Sequence, residues 1–146
     1  MSTAGLPAPA PSATLLRRLL SLVYEALLLT AVVLLSGGVA TVTAEALGTG
    51  YTRMLTQTSL LMLCSAYFLS QWLRSGQTLP MKTWRLRLET RDGRRLNAAT
   101  ALWRLFLAGI GYGAGGITVL WALFDRDRQF MHDRLCGTRI VTTAGG

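Results

Sequence analysis

Few side chains in this sequence can do chemistry, and the most isolated of them is an acid. Glu25 is the only charged residue between positions 19 and 44, in a run dominated by Leu, Val and Ala. A carboxylate in such a run is costly unless it faces protein, water or a partner charge, which makes Glu25 a candidate ion or proton site. Arg18 stands seven residues earlier, near the same face of a helix and roughly 10 Å away along its axis. An arginine at a helix end can snorkel toward such a group, so the pair reads equally well as a structural ion pair. A second set lies near the other end, in RQFMHDRLCGTRIV at positions 128–141. His132 and Asp133 are adjacent there, but neither a nucleophile nor a set of metal ligands accompanies them. His132 is the sole histidine. The expectation is therefore a protein that is not an enzyme, with no metal and no cofactor. Cys64 and Cys136 fit no metal-binding spacing and read as ordinary buried thiols.

Apolar elements must position these groups. Just over half of the 146 residues are hydrophobic and only 15% are charged, where a soluble domain carries about a quarter. Positions 54–73 and 105–124 hold no charged residue at all. Each of the three runs approaches the roughly 20 residues a helix needs to cross a bilayer. So many apolar residues in so short a chain exceed what its polar surface can cover. Arg17 and Arg18 before the first run resemble a twin-arginine leader, and Ala44-Glu45-Ala46 offers a small-x-small cleavage site. The run is far longer than the 7–15 residues of a leader core, and further spans follow, so a retained span is expected.

The net charge of +8 lies outside these runs. No nucleic-acid motif accompanies it, so nucleic acid is not an expected partner. The bilayer and its anionic headgroups are. The connection at 74–104 carries eight Arg and Lys against two acids. By the positive-inside rule it faces the cytoplasm with the N-terminus, and the loop at 43–53 faces the other side. Tyr51 and Trp72 fall where interfacial aromatics are expected.

Within the connection, TWRLRLET at 83–90 alternates Trp84, Leu86 and Leu88 with Arg85, Arg87 and Glu89. Period two predicts a strand, and Asp92-Gly93 a turn, together a small amphipathic β-hairpin. Trp84, Arg85, Arg87 and Trp103 are candidates for headgroup contact. Asn97 is placed to cap the next helix. The third run contains IGYGAGG at 110–116, and four glycines in seven residues weaken a helix. A full span would put the C-terminus outside, whereas Arg126, Arg128, Arg134 and Arg139 favour the inside. The third segment therefore either spans or is re-entrant.

The expected fold class is an all-α membrane protein with two full transmembrane helices, a third spanning or re-entrant segment, and the surface hairpin. An Ala/Pro-rich tail at 1–13 and a flexible C-terminus at 143–146 flank a membrane domain at 14–142. Two or three spans do not readily enclose a solute path, and Gly37 and Gly38 offer close helix contact, so a homo-oligomer is expected.

Taken together, Arg17-Arg18-Leu19, an acid seven residues after Arg18, Gly76-Gln77-Thr78-Leu79 after the second run, and the closing H-D-x-L-x-G-T-x-x-V from His132 to Val141 resemble the RDD family. The likeness covers positions 14–142, and GQTLPMKTW at 76–84 resembles its Gram-negative branch. It implies a bacterial inner-membrane location and an Arg/acid cluster of Arg18, Glu25 and Asp133. Arg17, His132, Gly76, Gln77 and Thr78 would support that cluster. Glu25 stands where the family has aspartate, and Pro80 where glycine is more typical. The family's function is largely uncharacterised. The resemblance implies ion or small-solute transport, with sodium–proton exchange linked to some members. The alternative is a non-catalytic module that binds a partner protein or lipid. A cluster of these three residues implies that Asp133 pairs with Arg18, which brings Arg139-Ile140-Val141 beside the 84–88 strand.

Overall fold

Leucine, valine and alanine carry the first apolar run into one helix, α1 (Leu15–Leu47), in a computed structural model that describes residues 11–47 and 51–143. Residues 1–10 of the tail, 48–50 of the first loop and 144–146 lie outside the described residues. At about 1.5 Å per residue α1 exceeds the roughly 30 Å of a bilayer core, and it is apolar enough to cross one. The hydroxyl groups of its middle and far half are satisfied within the helix. Thr30, Ser36 and Thr41 donate to carbonyls four residues back at 2.7–2.9 Å, which removes the cost of a bare hydroxyl in an apolar setting. The helix runs without interruption through Gly37 and Gly38.

The second run forms α2 (Thr52–Arg74), as long as expected but less apolar. Thr56, Gln57, Thr58, Ser59, Ser65, Ser70 and Gln71 dilute it. Among the described helices, α1 alone has both the length and the apolarity of a span. The third run breaks where its glycines predicted weakness. It yields α4 (Ala98–Gly113) and α5 (Ile117–Phe124), bent by 95°. Gly115 and Gly116 both take φ +78°, a conformation that favours glycine, at the corner. The two pieces together reach span length and composition only if counted as one broken element. Asn97 caps α4 as expected, its Oδ1 accepting from the Thr100 amide at 2.7 Å.

Between α2 and α4 lie a short helix, α3 (Leu79–Thr83), and strand β1 (Leu86–Thr90). After α5 come α6 (Met131–Leu135) and β2 (Thr138–Thr142). Two expectations are corrected here. The strand begins at Leu86 rather than Thr83, because the Thr78 cap and Pro80 start a helix there. The hairpin does not close on itself. After the turn, in which the Thr90 amide donates to the Arg94 carbonyl, the chain reaches α4 with no second alternating run. β1 pairs instead with β2, antiparallel, in the register Leu86↔Thr142 through Thr90↔Thr138. That places Arg139–Val141 beside β1, as expected. Arg139 pairs with Glu89 at 2.7 Å across the ladder.

Ser12 bridges Val141, and the Ala13 amide donates to the Ile140 carbonyl at 3.0 Å. Positions 11–13, assigned to the tail, are therefore anchored on β2. Leu86, Leu88 and Ile140 bury their side chains with Trp72, Met81, Ala101 and Phe130. This core gathers the start of α1, the end of α2 and the start of α4 at one pole of the molecule. Trp72 is 4% exposed within it, so it is a core residue and not an interfacial one. Tyr51 is exposed.

Candidate functional site

The first turns of α1 bury Arg18, which is 2% exposed. Its guanidinium donates through Nη1 to the Arg128 carbonyl at 2.9 Å and through Nη2 to the Ile140 carbonyl at 3.2 Å. Those carbonyls belong to the segment entering α6 and to β2, so Arg18 ties the first helix to the last elements of the chain. Arg18 makes no ion pair among the described residues. Arg17 points away and is exposed.

Two turns further along α1, Glu25 is buried as well. Its Oε2 accepts from the Thr78 hydroxyl at 2.6 Å, and the Tyr67 hydroxyl also lies against the carboxylate. Gly76, Gln77 and Thr78 explain how that hydroxyl arrives. Gly76 turns the chain out of α2 at φ +69°, and its carbonyl accepts from the Leu88 amide at 2.7 Å. A Cβ there would meet the Leu88 carbonyl oxygen at 2.7 Å, so only glycine fits. Gln77 Nε2 donates to the Leu86 carbonyl at 2.7 Å. Thr78 then caps α3 and serves Glu25 with the same oxygen.

Asp133 is fully buried, but Arg18 is not its partner. Arg104 of α4 is. The Arg104 guanidinium also lies 4.6 Å above the Trp72 ring, a position that stabilises a desolvated cation. Sequence reading counted Arg104 only as a loop charge. The available signal was its place at the start of an apolar run, the same place Arg18 has in the first run. Next to Asp133, His132 is 2% exposed, its Nδ1 2.8 Å from the Thr118 hydroxyl and its ring stacked on Phe130. Burial pushes its pKa down to about 4, with Arg104 acting in the same direction and Asp133 opposing. His132 is therefore neutral at neutral pH. Burial also pushes the Cys136 thiol up, which disfavours a reactive thiolate.

These side chains surround one cavity of about 490 Å³. One wall is a stripe of α1 that includes Arg18, Leu22, Glu25, Ala26 and Leu29. Leu105, Ala108, Gly109 and Tyr112 of α4 form the opposite wall, with Phe68 and Trp72 of α2 behind. Thr78, Leu86, Phe130, His132 and Ile140 close one end. The structure thus brings the expected residues to one pole, with Arg18 and Glu25 on the cavity and Asp133 behind Arg104. Among the headgroup candidates, Arg85 and Trp103 are exposed and Trp84 and Arg87 are half-buried.

A first helix of membrane-crossing length, a second helix packed on it, a broken third and a small sheet that buries two arginines and two acids define a helical protein with a polar centre at one pole. The family follows from the sequence. The RDD family profile matches residues 12–137, and the chain belongs to that family. Over 86 residues it is 35% identical to the uncharacterized protein RP437 of Rickettsia prowazekii (strain Madrid E), covering 58% of this chain and 46% of that protein. The aligned part is therefore less than half of the relative's length. No solved structure matches the chain.

Proposed function

We propose that the chain is a multi-pass protein of a bacterial inner membrane, with its N-terminus, the 74–104 connection and the C-terminal strand on the cytoplasmic side, and that its polar centre takes part in moving an ion or small solute. The observation that carries this reading is Glu25. Its carboxylate is buried in an apolar helix, is met by the neutral hydroxyls of Thr78 and Tyr67 and by no cation among the described residues, and lines a cavity. A lone carboxylate in such a place is costly unless an ion or proton can join it. The positive-inside count supports the orientation, and the 95° break in the third run supports a C-terminus returning to the side of Arg18. One chain leaves the far halves of α1 and α2 without an enclosing wall, so the working form is a homo-oligomer, readable by native mass spectrometry from mild detergent.

The test is flux of protons and monovalent cations in proteoliposomes, with Glu25→Gln as the comparison. Flux that disappears in the variant supports the reading. Flux that persists unchanged, or no flux in the unaltered protein, removes it. One observation favours a second reading, a non-catalytic module that binds lipid or a partner. The cavity walls are mostly apolar side chains, and the sheet closes one end. On this reading Trp84, Arg85, Arg87 and Trp103 contact anionic headgroups.

A further inference from the structure

We infer that the cavity between α1 and α4 is a binding site for a single-chain anionic amphiphile, the simplest being a long-chain carboxylate taken from the bilayer. The inference rests on the reading that the chain lies in a membrane and is independent of any flux.

The shape comes from two helical stripes. α1 contributes Leu22, Ala26 and Leu29, and α4 contributes Leu105, Ala108 and Gly109. α1 packs on α2, and α2 packs on α4, so the first and fourth helices stand on either side of the cleft. Ala26 and Gly109 are exposed and mark its mouth. Small residues in both lining stripes leave room for a hydrocarbon chain to lie along the helices. The volume of about 490 Å³ is in the range of small-molecule sites, which suits one chain and not a diacyl lipid.

The chemistry comes from the closed end. Arg18, Trp72 and Arg104 line the cavity there and are each at least nine-tenths buried. Each retains an N–H without a partner, at Nε of the two arginines and Nε1 of Trp72. Buried donors are normally satisfied, and leaving one unmade is costly. Arg104 is matched by Asp133, whereas Arg18 bonds only backbone carbonyls and feels Asp133, Asp125 and Asp127 from beyond ion-pair distance. Glu25 is the acid on the lining, and its carboxylate is drawn to Thr78 on α3. An anionic head beside Arg18 would supply the direct ion pair it lacks, and a small rotation of the arginine and tryptophan side chains would give the unmade donors an acceptor. The tail would then cover the apolar stripes. A neutral lipid lacks the charge, and a free anion such as phosphate lacks the tail.

The full chain in phosphatidylcholine nanodiscs is the material for the test. Replacing Trp84, Trp103 and Trp121 by Phe leaves Trp72 as the reporter, with circular dichroism as the control for folding. The probe is 9,10-dibromostearate, whose bromines quench nearby indole. The expected result is quenching of Trp72 that saturates, while a protein keeping only the exposed Trp103 shows a rise proportional to probe content. Dibromostearyl alcohol should bind Trp72 about tenfold more weakly, as expected for the loss of a charge-assisted hydrogen bond. Ala26→Phe with Gly109→Leu fills the mouth at exposed positions, and saturation should vanish while helicity is kept. Proportional quenching at Trp72, equal binding of acid and alcohol, or saturation unaffected by filling the mouth would each overturn the inference. So would saturation by dibrominated phosphatidylglycerol in place of the stearate. A protein that cannot be incorporated into nanodiscs would instead bring down the membrane reading itself.

Discussion

The two ends of α1 differ in what surrounds them. Its first three turns hold Arg18, Ser21 and Glu25, all buried by α3, the sheet and the segment before α6. Its far half holds Val33, Leu34, Leu35, Val39 and Val42, 45–73% exposed, beside similarly exposed Met54, Leu55, Leu61 and Met62 of α2. One helix thus buries Arg18 and Glu25 in protein and leaves its greasiest residues uncovered. Water would reverse that arrangement, because burying a charge costs far more than burying leucine stabilises. A bilayer around the far half removes the contradiction, since lipid then does the covering.

The comparison can be broken most severely at the Arg104–Asp133 pair. Arg104→Met or Asp133→Leu alone should destabilise the protein by about 3–5 kcal/mol, because each leaves a buried charge uncompensated. The double variant should recover much of the loss. Thermal unfolding in mild detergent reads the cycle, and additive losses would show that the pair is not coupled.

A slightly smaller effect is expected from acid. His132 is held neutral in the fold with a pKa of about 4, against 6.5 when unfolded. The unfolded chain therefore takes up the proton first. The stability tied to neutral His132 is complete above pH 6.5 and is lost as pH falls toward 4, a decline of up to about 3 kcal/mol. Unfolding midpoints across that window, compared with His132→Gln, should show the difference narrowing as the pH falls.

Gly76→Ala forces a Cβ against the Leu88 carbonyl at a φ of +69°, which should cost about 1–3 kcal/mol. It should also loosen the Thr78 contact to Glu25, visible as faster amide exchange at Met81. The smallest effect belongs to the far half. Leu35→Ala should change stability in detergent by less than about 0.5 kcal/mol. An effect as large as that of the polar pole would mean that protein, not lipid, covers this surface.

Local pattern was enough for much of the architecture. Apolar runs made the long helices, Asn97 capped α4, and four glycines between 110 and 116 placed the corner between α4 and α5. Leu86 and Leu88 faced one way by period two. Each of these features depends on residues within a turn or two of one another. The pairing choices depend on distant residues. The β1 strand had no local partner, so β2, some fifty positions later, completed it. Asp133 had two buried arginines within the same pole, and the packing of α6 on α4 gave it Arg104, while Arg18 was left to backbone carbonyls. Trp72 looked interfacial by its place at the end of a run, and the sheet, α3 and Arg104 closing around it made it core. The family motifs named Arg18, Glu25 and Asp133 as one group, while Arg104 and Trp72 joined that pole unannounced. Which charge meets which was decided by three-dimensional packing, because a buried ion pair depends on angstrom-scale contact between residues that sequence distance does not order.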